Sequence, residues 1–227
     1  MIKIESAEVI GWEAAVRGMR NPLNSWEKGD TGYGCDEHGA NCAHCGCYDD
    51  AYADCGHSQK FVIGPNDLDL MKRLRLAGTD HRKFMRMITV YVDITAPMYW
   101  WSEFDTYKVG IVANSCSKMH TIHKTEISEE LFSFDHVKLC EVGKEYLKEL
   151  EKLRVKFNKT KDKKYWYALI QLLPASFDQK RTVMLNYEVL ANMYKSRKNH
   201  KLDEWHRFCD WCETLPYSEL ITGDFDA

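Results

Sequence analysis

Apolar and polar residues alternate most regularly over Met87 to Ile94, where Ile88, Val90, Val92 and Ile94 share one face and predict a strand. A strand is also predicted over Ile2 to Ile10, followed by a short helix through Trp12 to Met19. Residues 21–57 have almost no apolar periodicity and are rich in Gly, Asp, Asn and Cys, so they read as a long surface loop or small inserted element. A loop of that length usually has its own staple or function. Order resumes at Phe61. Gly64-Pro65-Asn66 supplies a turn and a helix start, Leu70, Leu74 and Ala77 fall at helical spacing, and Gly78 ends the helix. Ala96-Pro97 ends the central strand and starts a helix through the aromatic stretch Tyr99 to Tyr107. After a second loop, Leu139, Val142, Tyr146, Leu150, Leu153 and Phe157 form the stripe of a long amphipathic helix. Helices are predicted over Gln179 to Lys198 and Leu202 to Glu213. No repeat or interdomain linker interrupts this order. The reading is an α+β fold, a single domain over 1–227 with 21–57 as a Cys-rich inserted loop.

Composition narrows the classes. The chain has 227 residues, 44% hydrophobic and 29% charged, with a formal net charge of −3. No apolar run approaches the ~18 residues of a membrane span, and the start of the chain lacks a secretory signal, so a cytoplasmic protein without membrane contact is expected. A mildly acidic balance argues against general nucleic-acid binding. The segment Lys138 to Lys164 holds ten Lys/Arg against five Asp/Glu, which suits a solvated helix face or, alternatively, a polyanion.

In a reducing compartment, clustered cysteines point to metal or free thiols before disulfides. Cys42-x-x-Cys45 is a normal knuckle for zinc, and Cys35 with Cys55 or His57 could complete a tetrahedral structural site. A second C-x-x-C is missing from the cluster, so free thiols and redox chemistry stay open as alternatives. Cys209 and Cys212 lie at helical spacing beside Trp205 and Phe208, and read as small buried hydrophobes.

The polar groups gather between Tyr99 and His123. Glu103 and Tyr107 are one helical turn apart, flanked by Asp105 and Lys108. The loop Asn114-Ser115-Cys116-Ser117-Lys118-Met119-His120 offers hydroxyl, amide and cationic groups able to hold a phosphate or carboxylate. On the predicted penultimate helix, Asn186 and Arg197 would project within about 20° of each other.

These segments resemble the flavin-dependent thymidylate synthases, the ThyX family. That family starts a helix with a (V/A)-P-x-(F/Y) pattern, continues Q-W-x-R-H-R, and follows with a loop N-E-x-S-x-R-Y. Here Ala96-Pro97-Met98-Tyr99 starts the helix, and Asn114 to His120 occupies the loop with one extra residue between. Further on the family has L-P, then N-x-R-x-L-x-N-F-L-x-L-R. Leu173-Pro174 and Asn186-Tyr187-Glu188-Val189-Leu190-Ala191-Asn192-Met193-Tyr194-Lys195-Ser196-Arg197 reproduce that spacing without a gap. The likeness spans Phe61 to Leu215.

The resemblance implies a ThyX-like fold, FAD as cofactor, and conversion of dUMP to dTMP with methylenetetrahydrofolate and NADPH. It also implies a homotetramer with active sites at subunit interfaces. By the same resemblance, Asn186 and Asn192 would face the flavin, with Tyr107 and Lys108 nearby. Glu103, Asn114, Ser117, Lys118 and His120 would line the nucleotide, Ser117 approaching its phosphate. Arg197 would sit over the uracil, where it stabilises developing negative charge; Arg197 and Ser117 are the candidate catalytic pair. The chain departs from the family at several positions. R-H-R becomes Thr106-Tyr107-Lys108, the loop arginine becomes Met119, and the loop glutamate becomes Ser115. The arginine before L-P becomes Ile170, and the motif glutamine becomes Glu103. The departures open an alternative, a catalytically silent or repurposed ThyX-fold protein that binds another small anionic ligand or a partner.

Overall fold

Ile88, Val90, Val92 and Ile94 are all fully buried, as a strand enclosed within a sheet requires. In a computed structural model, which describes residues 1–35, 39–40, 59–137 and 139–223, the elements run in this order: β1 (Lys3–Ile10), α1 (Trp12–Arg20), β2 (Gly32–Cys35), β3 (Gly39–Ala40), β4 (Gln59–Val62), α2 (Pro65–Leu76), β5 (Thr89–Pro97), α3 (Met98–Phe104), β6 (Val112–Ser115), α4 (Lys118–Thr121), α5 (Glu141–Thr160), α6 (Lys163–Leu172), β7 (Asp178–Asn186), α7 (Tyr187–Arg197), α8 (Asp203–Glu213) and α9 (Glu219–Thr222). The chain is thus α+β. Among the described residues no helix is long and apolar enough to cross a membrane. Two compact units divide the chain. Unit 1 comprises Met1–Glu8, Tyr91–Leu185 and Ser196–Trp211; unit 2 comprises Val9–Val90, Asn186–Lys195 and Cys212–Ala227.

Unit 1 is built on a sheet of order β1-β5-β7-β6. Edge strand β6 runs antiparallel to β7, with Asn114 opposite Thr182 and Ser115 opposite Arg181. Pro97 ends β5 in extended conformation and stands as the N-cap of α3, the division of labour that its fixed φ favours. Helix α3 then buries Trp100, Trp101 and Phe104. Trp205 and Phe208 of α8 complete an aromatic core in which the Trp100 ring lies 4.8 Å from Trp205 and 5.1 Å from Phe104. Cys209 is buried beside them, and Cys212 is buried within unit 2. The two indoles of α3 differ. Trp101 Nε1 donates to the Gln179 carbonyl at 2.9 Å, whereas Trp100 Nε1 is buried with no partner among the described residues. Trp101→Phe strands a buried carbonyl; Trp100→Phe removes an unsatisfied donor. Trp101→Phe is therefore expected to cost at least ~1 kcal/mol more than Trp100→Phe in denaturant unfolding, and equal losses would contradict the assignment.

A second cluster in unit 1 joins Leu147 and Leu150 of α5 to Leu169 of α6, Ile122, Ile127, Phe132 and Phe177. This corrects the expected stripe, because Val142 and Tyr146 are exposed and Leu147 takes the inward place. The helix begins only at Glu141, and Leu139 folds back over Gly143, 2.8 Å from where a Cβ would stand. The inward row is thereby turned to Gly143, Leu147 and Leu150. Lysines 144, 148 and 152 pair with Glu141, Glu145 and Glu149, as on a solvated helix face. Helix α6 follows after Lys161, which takes a positive φ of 57°, and Asp162, which caps it by accepting from Lys164 N–H at 3.0 Å. The sequence pattern did not reveal α6, β6 or α4.

The largest correction concerns Gln179 to Lys198. Its first half is strand β7, in which Gln179, Arg181, Val183 and Leu185 alternate inward. Helix α7 begins only at Tyr187. Asn186 is consequently not on a helical face with Arg197; its Oδ1 accepts from Val189 N–H at 3.1 Å, the bond of an N-cap side chain.

Unit 2 holds α1 and α2 and a small sheet of order β3-β2-β4. Gly11 precedes α1 with φ 93°, and a Cβ there would lie 2.1 Å from the Met87 carbonyl oxygen, so only glycine fits. Asp30 caps α2 from a distance, accepting from Asn66 N–H at 2.9 Å and Asp67 N–H at 3.0 Å. Arg20 is buried and meets the fully buried Asp67 at 2.6 Å. Within the expected inserted loop, the described residues form two short 3-10 turns, Asn21–Leu23 and Trp26–Lys28, and strands β2 and β3.

Candidate functional site

Helix α3 of unit 1 carries polar groups on two sides. On one side Glu103 and Tyr107, one turn apart in sequence, converge on Arg197, the last residue of α7. Arg197 Nη1 donates to Glu103 Oε2 at 2.6 Å and its Nε donates to the Tyr107 hydroxyl at 2.9 Å. The guanidinium lies 4.6 Å from the Trp205 ring centroid and 5.5 Å from that of Tyr107, so two aromatic rings flank the cation. Trp205 Nε1 donates to the same Glu103 oxygen at 2.9 Å. His200 Nε2 lies 3.3 Å from it, while His200 Nδ1 accepts from Leu202 N–H at 3.2 Å.

On the other side, Trp101 and Asp105 hold Arg181 of β7. Its guanidinium lies 4.1 Å from the Trp101 ring centroid, and Nη1 donates to Asp105 Oδ1 at 2.7 Å. Arg181 Nε donates to Gln179 Oε1 at 3.0 Å, and Gln179 Nε2 donates to the Cys116 carbonyl at 2.9 Å. That chain of bonds ties Arg181 to the loop carrying Ser117 and Lys118. Lys118 is half-buried, its Nζ 5.8 Å from the Phe177 ring centroid. Burial first, and the Arg181 charge second, lower the pKa of its ammonium. Among the described residues no carboxylate pairs with Lys118. The Ser117 hydroxyl makes no capping bond to the turn it opens, since the cap contacts use its carbonyl instead. The corner is electropositive and rich in donors, which suits a phosphate or carboxylate.

The expected site residues therefore gather in part. Glu103, Tyr107 and Arg197 meet, and Ser117 and Lys118 adjoin Arg181. Asn114 is exposed on edge strand β6, and Lys108 and His120 are exposed. Asn186 and Asn192 belong to unit 2, the first serving as a cap and the second exposed on α7. Among the described residues no group of His, Cys, Asp and Glu forms a metal site. The zinc expectation lies outside them, because Cys42, Cys45 and Cys55 are not described and only the backbone of Cys35 is, in β2. Arg181, Gln179, Trp205 and His200 were missed. The signal for Arg181 is an arginine on the inward face of a period-two strand over 178–186.

Comparison with known proteins places the fold. No protein-family profile matches the sequence, and no curated protein matches it. Among solved structures, thymidylate synthase X (ThyX) from Helicobacter pylori with FAD and dUMP superposes over 100% of both chains, with a TM-score of 0.66 at 15% identity. A second structure of the H. pylori enzyme, complexed with FAD and dUMP, covers 97% of each chain with a TM-score of 0.62. The UMP/dUMP methylase PolB from Streptomyces cacaoi, bound with 5-Br dUMP, covers 98% of this chain and 95% of its own, with a TM-score of 0.57 at 11% identity. The chain has the ThyX fold, as its sequence motifs led us to expect. At these identities the likeness carries the fold and leaves the chemistry to the site itself.

Proposed function

We propose that this ThyX-fold chain binds a dUMP-class pyrimidine nucleotide together with FAD, as a divergent relative of the flavin-dependent thymidylate synthases. The observation that carries the reading is Lys118, a half-buried ammonium with no carboxylate partner among the described residues, beside Arg181. Burying a cation without a counter-charge is unfavourable, and a bound phosphate would relieve it. Lys118 and Arg181 would stand in for the arginines that the family pattern has and this chain lacks at Met119 and Ile170. Ser117 would add a hydroxyl donor to the same phosphate. For the flavin, unit 2 offers the amides of Asn186 and Asn192, with the Oδ1 of Asn186 already committed to Val189 N–H. A bound flavin supplies the redox chemistry of such a site; the protein supplies binding and orientation.

The test is spectroscopic. Protein purified with FAD and dialysed should absorb between roughly 350 and 500 nm and oxidise NADPH in a dUMP-dependent manner. A colourless protein after that treatment would overturn the flavin reading. Lys118→Ala is expected to weaken dUMP binding about tenfold or more, corresponding to the loss of a charge-assisted contact of ~1.5 kcal/mol. Unchanged affinity by calorimetry would remove Lys118 from the site.

One observation favours the alternative of a repurposed or silent protein. Arg197, the cation expected over the uracil, is already paired with Glu103 at 2.6 Å. On that reading the protein would bind an anionic ligand at the Lys118 corner without turnover of dUMP.

A further inference from the structure

Glu103 holds Arg197 much as a ligand would. Its Oε2 receives Arg197 Nη1 at 2.6 Å and Trp205 Nε1 at 2.9 Å, with His200 Nε2 at 3.3 Å. Because His200 Nδ1 accepts the Leu202 N–H, Nε2 is the ring nitrogen left to carry the proton in the neutral imidazole, and it lies 3.3 Å from Glu103 Oε2. One carboxylate oxygen thus accepts two hydrogen bonds, with His200 Nε2 close by, while Tyr107 and Trp205 flank the guanidinium. Arg197 and Glu103 are only 16% and 33% exposed, so water screens the pair incompletely. An incoming pyrimidine that takes Nη1 of Arg197 as its donor must displace Glu103, and one that uses Nη2 meets a guanidinium whose charge Glu103 already offsets. Displacement in turn leaves Trp205 Nε1 without its acceptor, which is costly for a donor on a fully buried side chain. A glutamine at the same position would keep an acceptor oxygen for Trp205 Nε1 and drop the charge that binds Arg197.

We propose that Glu103 is the residue that sets affinity and selectivity at this site: it occupies Arg197 internally and so weakens binding of any ligand that approaches the arginine with an acceptor-rich ring edge. The inference rests on the nucleotide reading above and goes beyond it by naming the residue that restrains it. Glu103 acts here through Arg197 and is a positioning residue.

The experiment compares wild type, Glu103→Gln and Glu103→Asp. It uses dUMP titration by calorimetry on the full chain and phenylglyoxal labelling of Arg197 followed by mass spectrometry. Glu103→Gln is expected to bind dUMP at least tenfold more tightly and to label Arg197 faster. Glu103→Asp, which keeps the charge but draws it back by one methylene, should fall between wild type and Glu103→Gln in both. Equal dUMP affinity in wild type and Glu103→Gln, or weaker binding by the variant, overturns the inference and leaves the nucleotide reading standing. If none of the three proteins binds dUMP, the nucleotide reading falls and the labelling decides for the restraint. Faster labelling of Arg197 in Glu103→Gln then supports an arginine occupied by Glu103; unchanged labelling overturns it.

Discussion

Replacement of Asp67 by alanine is expected to destabilise the protein by about 3–5 kcal/mol, the usual cost of removing one partner of a buried ion pair. Asp67 is fully buried, and Arg20 is 6% exposed. One carboxylate oxygen accepts from Arg20 Nε at 2.6 Å; the other accepts from the N–H groups of Asp30 and Thr31 at 3.0 and 3.1 Å. Truncation therefore leaves a buried guanidinium without its counter-charge and two backbone donors without their acceptor. Arg20 would keep its bonds to the carbonyls of Ser25 and Lys28, which limits the loss. Asp67→Asn retains an acceptor for the backbone donors and should cost less than alanine. For a chain of this size the alanine variant should melt about 10 °C lower. A fall of 1 °C or less would show that the pair is not holding this part of unit 2.

The same pair predicts a pH dependence with a definite sign. Burial acts to raise the Asp67 pKa, but hydrogen bonds from Thr31, Arg20 and the Asp30 backbone outweigh it and hold the carboxyl below its ordinary 3.8. A depressed carboxyl contributes stability that is complete above the unfolded value and is lost as pH falls through the folded one. The difference in stability between wild type and Asp67→Asn should therefore be constant near neutral pH and shrink below about pH 4.

Trp100→Ala is the second large effect, about 3–5 kcal/mol for emptying an aromatic core position. The side chain is fully buried, with Trp101, Phe104, Trp205 and Phe208 around it at centroid distances of 4.9, 5.1, 4.8 and 5.8 Å. Those neighbours come from α3 and α8 and cannot close over the gap without moving the helices that carry Glu103 and Trp205. Stability and site geometry are thus coupled here. The variant should lose dUMP affinity as well as denaturant resistance, and a loss of stability with intact affinity would separate the two.

Much of this was legible along the chain because it depends on near neighbours. The period of two over Ile88 to Ile94 specified β5, and Pro97 marked the change from strand to helix. The resemblance of Asn186 to Arg197 to the ThyX family's motif was enough to suggest the fold. Local pattern misled where one segment mixed signals. Gln179 to Lys198 holds a strand and a helix in a single polar-apolar run, and Gln179 and Arg181 disguise an inward strand face as a polar one. The stripe of α5 was displaced because Leu139 folds back over Gly143, a contact no periodicity reports.

At the site, sequence alone determined which chemical groups were present: the carboxylate and phenol of α3, the hydroxyl and ammonium of the loop, and the terminal arginine of α7. Only the tertiary structure decided their state. It brought Glu103 to Arg197 across 94 residues, turned Arg181 inward beside Lys118, and left that lysine half-buried without a carboxylate among the described residues. The physical reason is that charge pairing and desolvation depend on distance and burial in space. The order of residues along the chain lists the charges, and the packing of α3 against α8 and β7 chooses which of them Arg197 and Lys118 meet.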